Sequence, residues 1–395
     1  MLLPHAVPEE VDLSTAGLAR IDTALSGCIQ EGAYAGAVTL AARRGRIVHA
    51  AALGLSDIAA GTPMRMDTIF ALFSMTKPVT AAAMMVLYDR GLWAPEDPIA
   101  RHLPEFADLK GPDGEPLDHP PTLGELMTHT AGFAYGILPN DATDEAYMVA
   151  GVWEADSLRD MTERLAKVPL AYQPGSSWRY SISMDIQGAV IERLTGQRLG
   201  AFMGETLFEP LGMADTGFSV PAEKRHRLAR VYYSAGRGGL QLLTHTRFAR
   251  NGEEPKLLSG GGGLYSTAED YARFAQMLLQ KGELGTAQVL SPEAVALMTR
   301  NHLSEKMMNT GYDAGRQSIR PGAGYGFNGA VYTDPDLAGV KVGRGTYQWD
   351  GAGGTWFWID PERELLFVGL VQRMLDPTSP RMQTLTQELC DEALL

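Results

Sequence analysis

The segment Ser74-Met75-Thr76-Lys77 sets an amine three residues after a hydroxyl. On a helix such positions share one face, so Lys77 Nζ can reach back to Ser74 Oγ. A serine hydroxyl is a poor nucleophile until a base takes its proton. Lysine can be that base only when burial or a nearby cation lowers its pKa. The apolar neighbours Phe70, Leu72, Phe73 and Val79 make burial the expectation. By itself, S-x-x-K equally describes a helix cap followed by a surface lysine. Two other segments carry chemistry. Tyr180 closes the polar run PGSSWRY, directly before an amphipathic helical pattern. A phenol there can relay a proton between serine, lysine and leaving group, or simply anchor its loop. The run YQWDGAGGTWFWID puts a glycine-rich edge ahead of a strand, which lets a substrate approach the backbone closely. The N–H groups of Ser74 and Ala352 are the candidate oxyanion donors, with an ordinary tight turn as the alternative reading of that edge.

The elements that must position these groups follow from periodicity and capping residues. Ser14 caps a helix expected over Ala16 to Ile29. Strands Ala37 to Ala42 and Ile47 to Leu53 form a hairpin through Arg44 and Gly45. A long apolar helix starts close to Ser74, because Pro78 costs least within a first turn, and it stops at Gly91. Further helices are expected at Thr122 to Met127, Met161 to Ala166, Ile186 to Thr195 and Thr267 to Gln280. Strands are expected at Thr346 to Trp349, Thr355 to Ile359 and Leu365 to Val371, then a closing helix from Thr384 to Leu394. The fold class is therefore α+β, with hairpins making the sheet mostly antiparallel. Residues 1–90 and 251–395 form one discontinuous α/β lobe, and a mainly helical lobe, 91–250, is inserted between them.

Composition narrows the partners. With 34 basic and 47 acidic residues the net charge is −13, an acidic surface that repels phosphate backbones and sets nucleic acid aside. The two cysteines, Cys28 and Cys390, make no disulfide framework and are expected as free thiols. The N-terminus lacks a basic start and long apolar run, and no apolar stretch reaches ~18 residues, so a cytoplasmic protein without membrane contact is expected. The sequence carries no signal for an oligomeric state.

Together the three chemical segments resemble the penicillin-recognising serine hydrolases: class C β-lactamases, DD-peptidases and family VIII carboxylesterases. In that superfamily S-x-x-K, a Y-x-N or Y-S-x element and a K-T-G or W-x-G strand occur in this order. Here they are S-M-T-K at Ser74, Y-S-I at Tyr180 and W-D-G at Trp349. LMTHTAGF from Leu126, YQPGSSWRYS from Tyr172, LFEPLGM from Leu207 and GGGGLYSTAEDYARF from Gly260 fit as well. The likeness runs from about residue 12 to 373. It implies a β-lactamase-like fold with Ser74, Lys77 and Tyr180 as catalytic residues in the cleft between the lobes. It also implies an acyl-enzyme on Ser74, with no metal or organic cofactor.

Departures from the lactamase pattern narrow the choice. Ile182 stands in the place of the asparagine, and Trp349 in that of the K-T-G lysine. An apolar wall suits a small neutral ester better than a carboxylate. The pattern is that of the family VIII esterases acting on short- to medium-chain esters, with a β-lactamase, a DD-peptidase or an acyltransferase as alternatives. Lys341-Val342-Gly343 also reads as K-x-G, but the glycine-rich turn and paired strands follow Trp349. The expected pocket residues are Trp349, Gly351, Phe133 and Tyr135. Trp153 and Trp358 either join them or pack the core. His129 is expected in a structural turn, and Asp185 and Asp350 as solvated or capping residues. No G-x-S-x-G, H-E-x-x-H or G-x-G-x-x-G arrangement competes.

Overall fold

The structure, a computed structural model, describes residues 3–236, 239–244, 251–314 and 316–395. Its centre is an eight-stranded sheet. In spatial order the strands are Ala323–Tyr325, Ala330–Tyr332, Tyr347–Asp350, Trp356–Asp360, Leu365–Leu370, Gly36–Arg43, Arg46–Asp57 and Thr62–Pro63. All neighbours are antiparallel. Leu365–Leu370 pairs with Gly36–Arg43, so both ends of the chain build one sheet. The expected hairpin turns on Arg44 at φ 50° and Gly45 at φ 72°, the left-handed pair that right-twisted strands favour.

Side chains alternate between two buried layers. Val38, Leu40, Leu366 and Val368 enter the main core. Ala37, Ala41, Trp356, Trp358 and Phe367 enter a second cluster beneath helices Thr15–Gln30 and Met382–Glu392. Helix Ala268–Leu279 covers the opposite face, packing on the three central strands. Burial on both sides explains why the strands read as continuous apolar runs rather than as an alternation. Both cysteines are unpaired and belong to the second cluster.

Caps set the helix starts. The Ser14 side chain accepts from Gly17 N at 3.1 Å, Thr267 accepts from Asp270 N at 3.1 Å, and Thr122 and Glu125 form a reciprocal capping box. Helix Ser183–Thr195 begins three residues earlier than periodicity suggests, and Met382–Glu392 begins two earlier. Helices Ala142–Val149 and Pro292–Thr299 and the strands Ala323–Tyr325 and Ala330–Tyr332 escape the sequence reading. Three-residue strands are too short to show a period. Among the described residues, none of the strands between residues 91 and 250 joins the large sheet. None of the described helices is long and apolar enough to cross a membrane.

Candidate active site

From Thr68 to Leu87 every residue is buried except Ser74. A single 3-10 turn, Phe73–Met75, leads into the helix Thr76–Asp89, which is buried from Thr76 to Leu87 and sits inside the core. Phe73 holds φ 50°, a strained value for a bulky residue, immediately before the serine. Its ring lies where a Cβ on Gly353 would meet it at 2.6 Å, so the glycine-rich edge makes room for this turn. Sequence reasoning missed this strained residue.

Lys77 Nζ lies 3.2 Å from Ser74 Oγ, 3.3 Å from Tyr135 OH and 2.6 Å from the Gly261 carbonyl oxygen. Tyr180 OH donates to Ser74 Oγ at 2.7 Å. The three groups singled out by the sequence therefore meet. Burial lowers the Lys77 pKa to about 7, against the opposing pull of Asp185 and Asp350. A neutral amine has two N–H bonds and one lone pair. The Gly261 carbonyl and Tyr135 hydroxyl take the two donors, which leaves the lone pair facing Ser74. Desolvation pushes the Tyr180 phenol well above its ordinary range, and Tyr135 adds to this. The phenol thus stays protonated and can donate.

The loop before Tyr180 is pinned along the segment 129–134. Arg179 N donates to the His129 carbonyl at 3.0 Å, Ser181 N to His129 Nδ1 at 3.1 Å, and Ile182 N to the Ala134 carbonyl at 3.0 Å. His129 is buried, and desolvation holds its pKa well below the usual imidazole range. It works as the structural turn the sequence suggested.

On the strand side, from Thr346 to Asp360 only Ala352 is not fully buried. Its N–H makes no hydrogen bond to another described residue. Gly351 does not offer a pocket surface. A Cβ there would stand 2.3 Å from both the Leu72 carbonyl oxygen and Thr355 Oγ1, so its bareness lets the edge close onto the turn before Ser74. Trp349 is 1% exposed, with its ring 5.6 Å from that of Tyr180. It backs the phenol rather than forming an open wall. Tyr135 touches Lys77, and its carbonyl accepts from Trp153 Nε1 at 2.9 Å. Phe133 is 1% exposed and packs edge-on against Phe106 in the core. Trp358 lies in the second cluster, stacked on Phe367.

The expectation for two aspartates also needs correction. Asp185 and Asp350 are buried, not solvated. Asp350 accepts from Gln317 Nε2 at 3.1 Å, and burial raises its pKa to about 6. Lys341-Val342-Gly343 sits beside Asp360, at the far end of the sheet strands from Asp350, as Gly343 N donates to Asp360 Oδ2 at 2.6 Å. A separate polar cavity of about 730 Å³, lined by Gln317, Arg320, Gln348 and Gln383, includes none of Ser74, Lys77 and Tyr180. Among the described residues no group of His, Cys, Asp and Glu could hold a metal ion.

Fold and chain agree on the class. Residues 21–389 match the beta-lactamase family, and the chain belongs to it as a serine hydrolase of β-lactamase-like fold. The family VIII esterase resemblance is borne out by its relatives. The chain is 36% identical over 375 residues to Esterase EstB of Burkholderia gladioli, covering 89% of each chain. It is 30% identical over 395 residues to the lovastatin esterase of Penicillium rubens, covering 93% of this chain and 96% of that one. Among solved structures, EstCE1, a hydrolase with promiscuous acyltransferase activity, superposes with a TM-score of 0.81 at 28% identity, over 95% of this chain and 99% of that one.

Proposed function

We propose that this protein is a carboxylesterase that hydrolyses short- to medium-chain esters of small molecules through an acyl-enzyme on Ser74. The contact of Ser74 Oγ with both Lys77 Nζ at 3.2 Å and Tyr180 OH at 2.7 Å carries the reading. Neutral Lys77 takes the serine proton as Oγ attacks the ester carbonyl. The N–H groups of Ser74 and Ala352 receive the oxyanion. Tyr180 gives its proton to the departing alkoxide and regains one from the Lys77 ammonium, which lies 4.6 Å from the centre of its ring. Water then attacks the acyl-enzyme, with the same groups acting in reverse. The phenol is held too high to be the primary base, so Lys77 fills that role. The two-lobe division, at residues 1–90 with 251–395 and 91–250, and a cytoplasmic location belong to the same reading.

Turnover of p-nitrophenyl acetate and butyrate tests it. Ser74→Ala should be inactive with an unchanged melting temperature, and Lys77→Ala and Tyr180→Phe should each lose orders of magnitude. Ser74→Ala retaining normal activity would refute the nucleophile. A chromogenic cephalosporin, assayed in parallel, separates the lactamase reading: hydrolysis far above that of esters would favour it. The buried Ile182 and Trp349, in place of polar groups, argue the other way.

A further inference from the structure

Lys77 donates to a peptide carbonyl that lies 184 residues further along the chain. The loop carrying that carbonyl, Ser259 to Gly263, is wedged between two helices. Thr80 Oγ1, on the helix of Lys77, donates to the Gly260 carbonyl at 2.7 Å. On the other side, Asp185 Oδ1 accepts from Ser259 Oγ at 2.6 Å and from Gly261 N at 3.2 Å. A Cβ on Gly260 would stand 2.5 Å from the Met184 carbonyl oxygen, and one on Gly261 2.6 Å from Asp185 Oδ2. The glycines therefore allow the loop to lie directly on the start of helix Ser183–Thr195. Asp185 has no exposed surface, and its Oδ2 has no hydrogen-bond partner. A buried carboxylate oxygen left bare costs stability, which asks for a function.

We propose that Asp185 is a positioning residue for Lys77: it holds the Gly261 peptide whose carbonyl receives the amine, and its buried charge favours the ammonium form. The inference rests on Lys77 being the base. The groups facing that amine are few. Ser74, Tyr135 and Tyr180 are neutral hydroxyls, and buried His129 is neutral. Asp350, with Arg316 beside it, supplies the second carboxylate from the sheet side. Asp185 is the carboxylate on the helical side. Its charge stabilises the ammonium that Lys77 becomes on taking the serine proton, and so sets the balance between accepting from the serine and giving to the leaving group.

The test is the pH dependence of kcat/KM for p-nitrophenyl acetate in the wild type, Asp185→Asn, Asp185→Glu and Ser74→Ala. Asparagine keeps an acceptor for Ser259 and Gly261 but removes the charge. The acid limb should move to lower pH by about one unit, and Asp185→Glu should return it toward the wild-type position. A limb unmoved in Asp185→Asn, even with a lower plateau, overturns the inference and leaves Asp185 as a loop anchor. Should that variant not fold, Asp185→Ser is read the same way. Turnover by Ser74→Ala would instead overturn the underlying reading of the site.

Discussion

Gly351→Ala tests whether the sheet edge must press against the turn that carries Ser74, the proposed nucleophile. The added methyl would stand 2.3 Å from the Leu72 carbonyl oxygen and 2.3 Å from Thr355 Oγ1. Neither obstacle yields cheaply. One is backbone, and the other is held by its own hydrogen bond to that same carbonyl at 3.0 Å. Ordinary contact requires the edge to retreat by about 1 Å, and Ala352 N–H travels with it. A displacement of that size at a reacting centre costs about 10²-fold, and loss of one oxyanion donor about 10²–10³-fold. We expect kcat/KM for p-nitrophenyl butyrate to fall by about 10²-fold, and overpacking to cost ~1–3 kcal/mol of stability. Steady-state kinetics and calorimetric melting measure the two separately. A well-folded variant with kcat/KM within about threefold of wild type would refute the argument, because Ala352 could not then be a donor whose placement matters.

Other outcomes follow from the same geometry. Lys77 must be neutral to accept the proton and is held at about 7, so kcat/KM should rise with pH through that value and level off above it; a flat profile there contradicts a lysine base. Gly27→Ala should raise the melting temperature by the equivalent of ~0.5–1 kcal/mol with activity unchanged. Gly27 lies within helix Thr15–Gln30, and a Cβ there meets nothing within 4 Å. Thr122→Ala should lower stability by ~1 kcal/mol, read by denaturant melts, because Glu125 N–H loses its side-chain acceptor while only the backbone half of the capping box remains.

Local chemistry made much of this protein legible from its sequence. Ser14, Thr122 and Thr267 announce helix starts because a cap needs only a side-chain oxygen and the next turn. Arg44-Gly45 and Gly91 announce reversals because left-handed backbone favours glycine. S-x-x-K is readable because three residues on a helix already place two side chains together. The short edge strands escaped for the opposite reason: three residues hold no period, and their partners supply the order. Asp185 was misread because its type and place suit a solvated cap, and burial is a property of what packs over it.

The sequence alone thus determined which functional groups exist and which neighbours along the chain they meet. Tertiary structure decided the rest. Tyr180 reaches Ser74 across 106 residues, and Gly261 reaches Lys77 across 184. Water is excluded around that amine only when the sheet and helices close on it. An amine's charge depends on the medium around it, and that medium is assembled by contacts that no local spacing encodes.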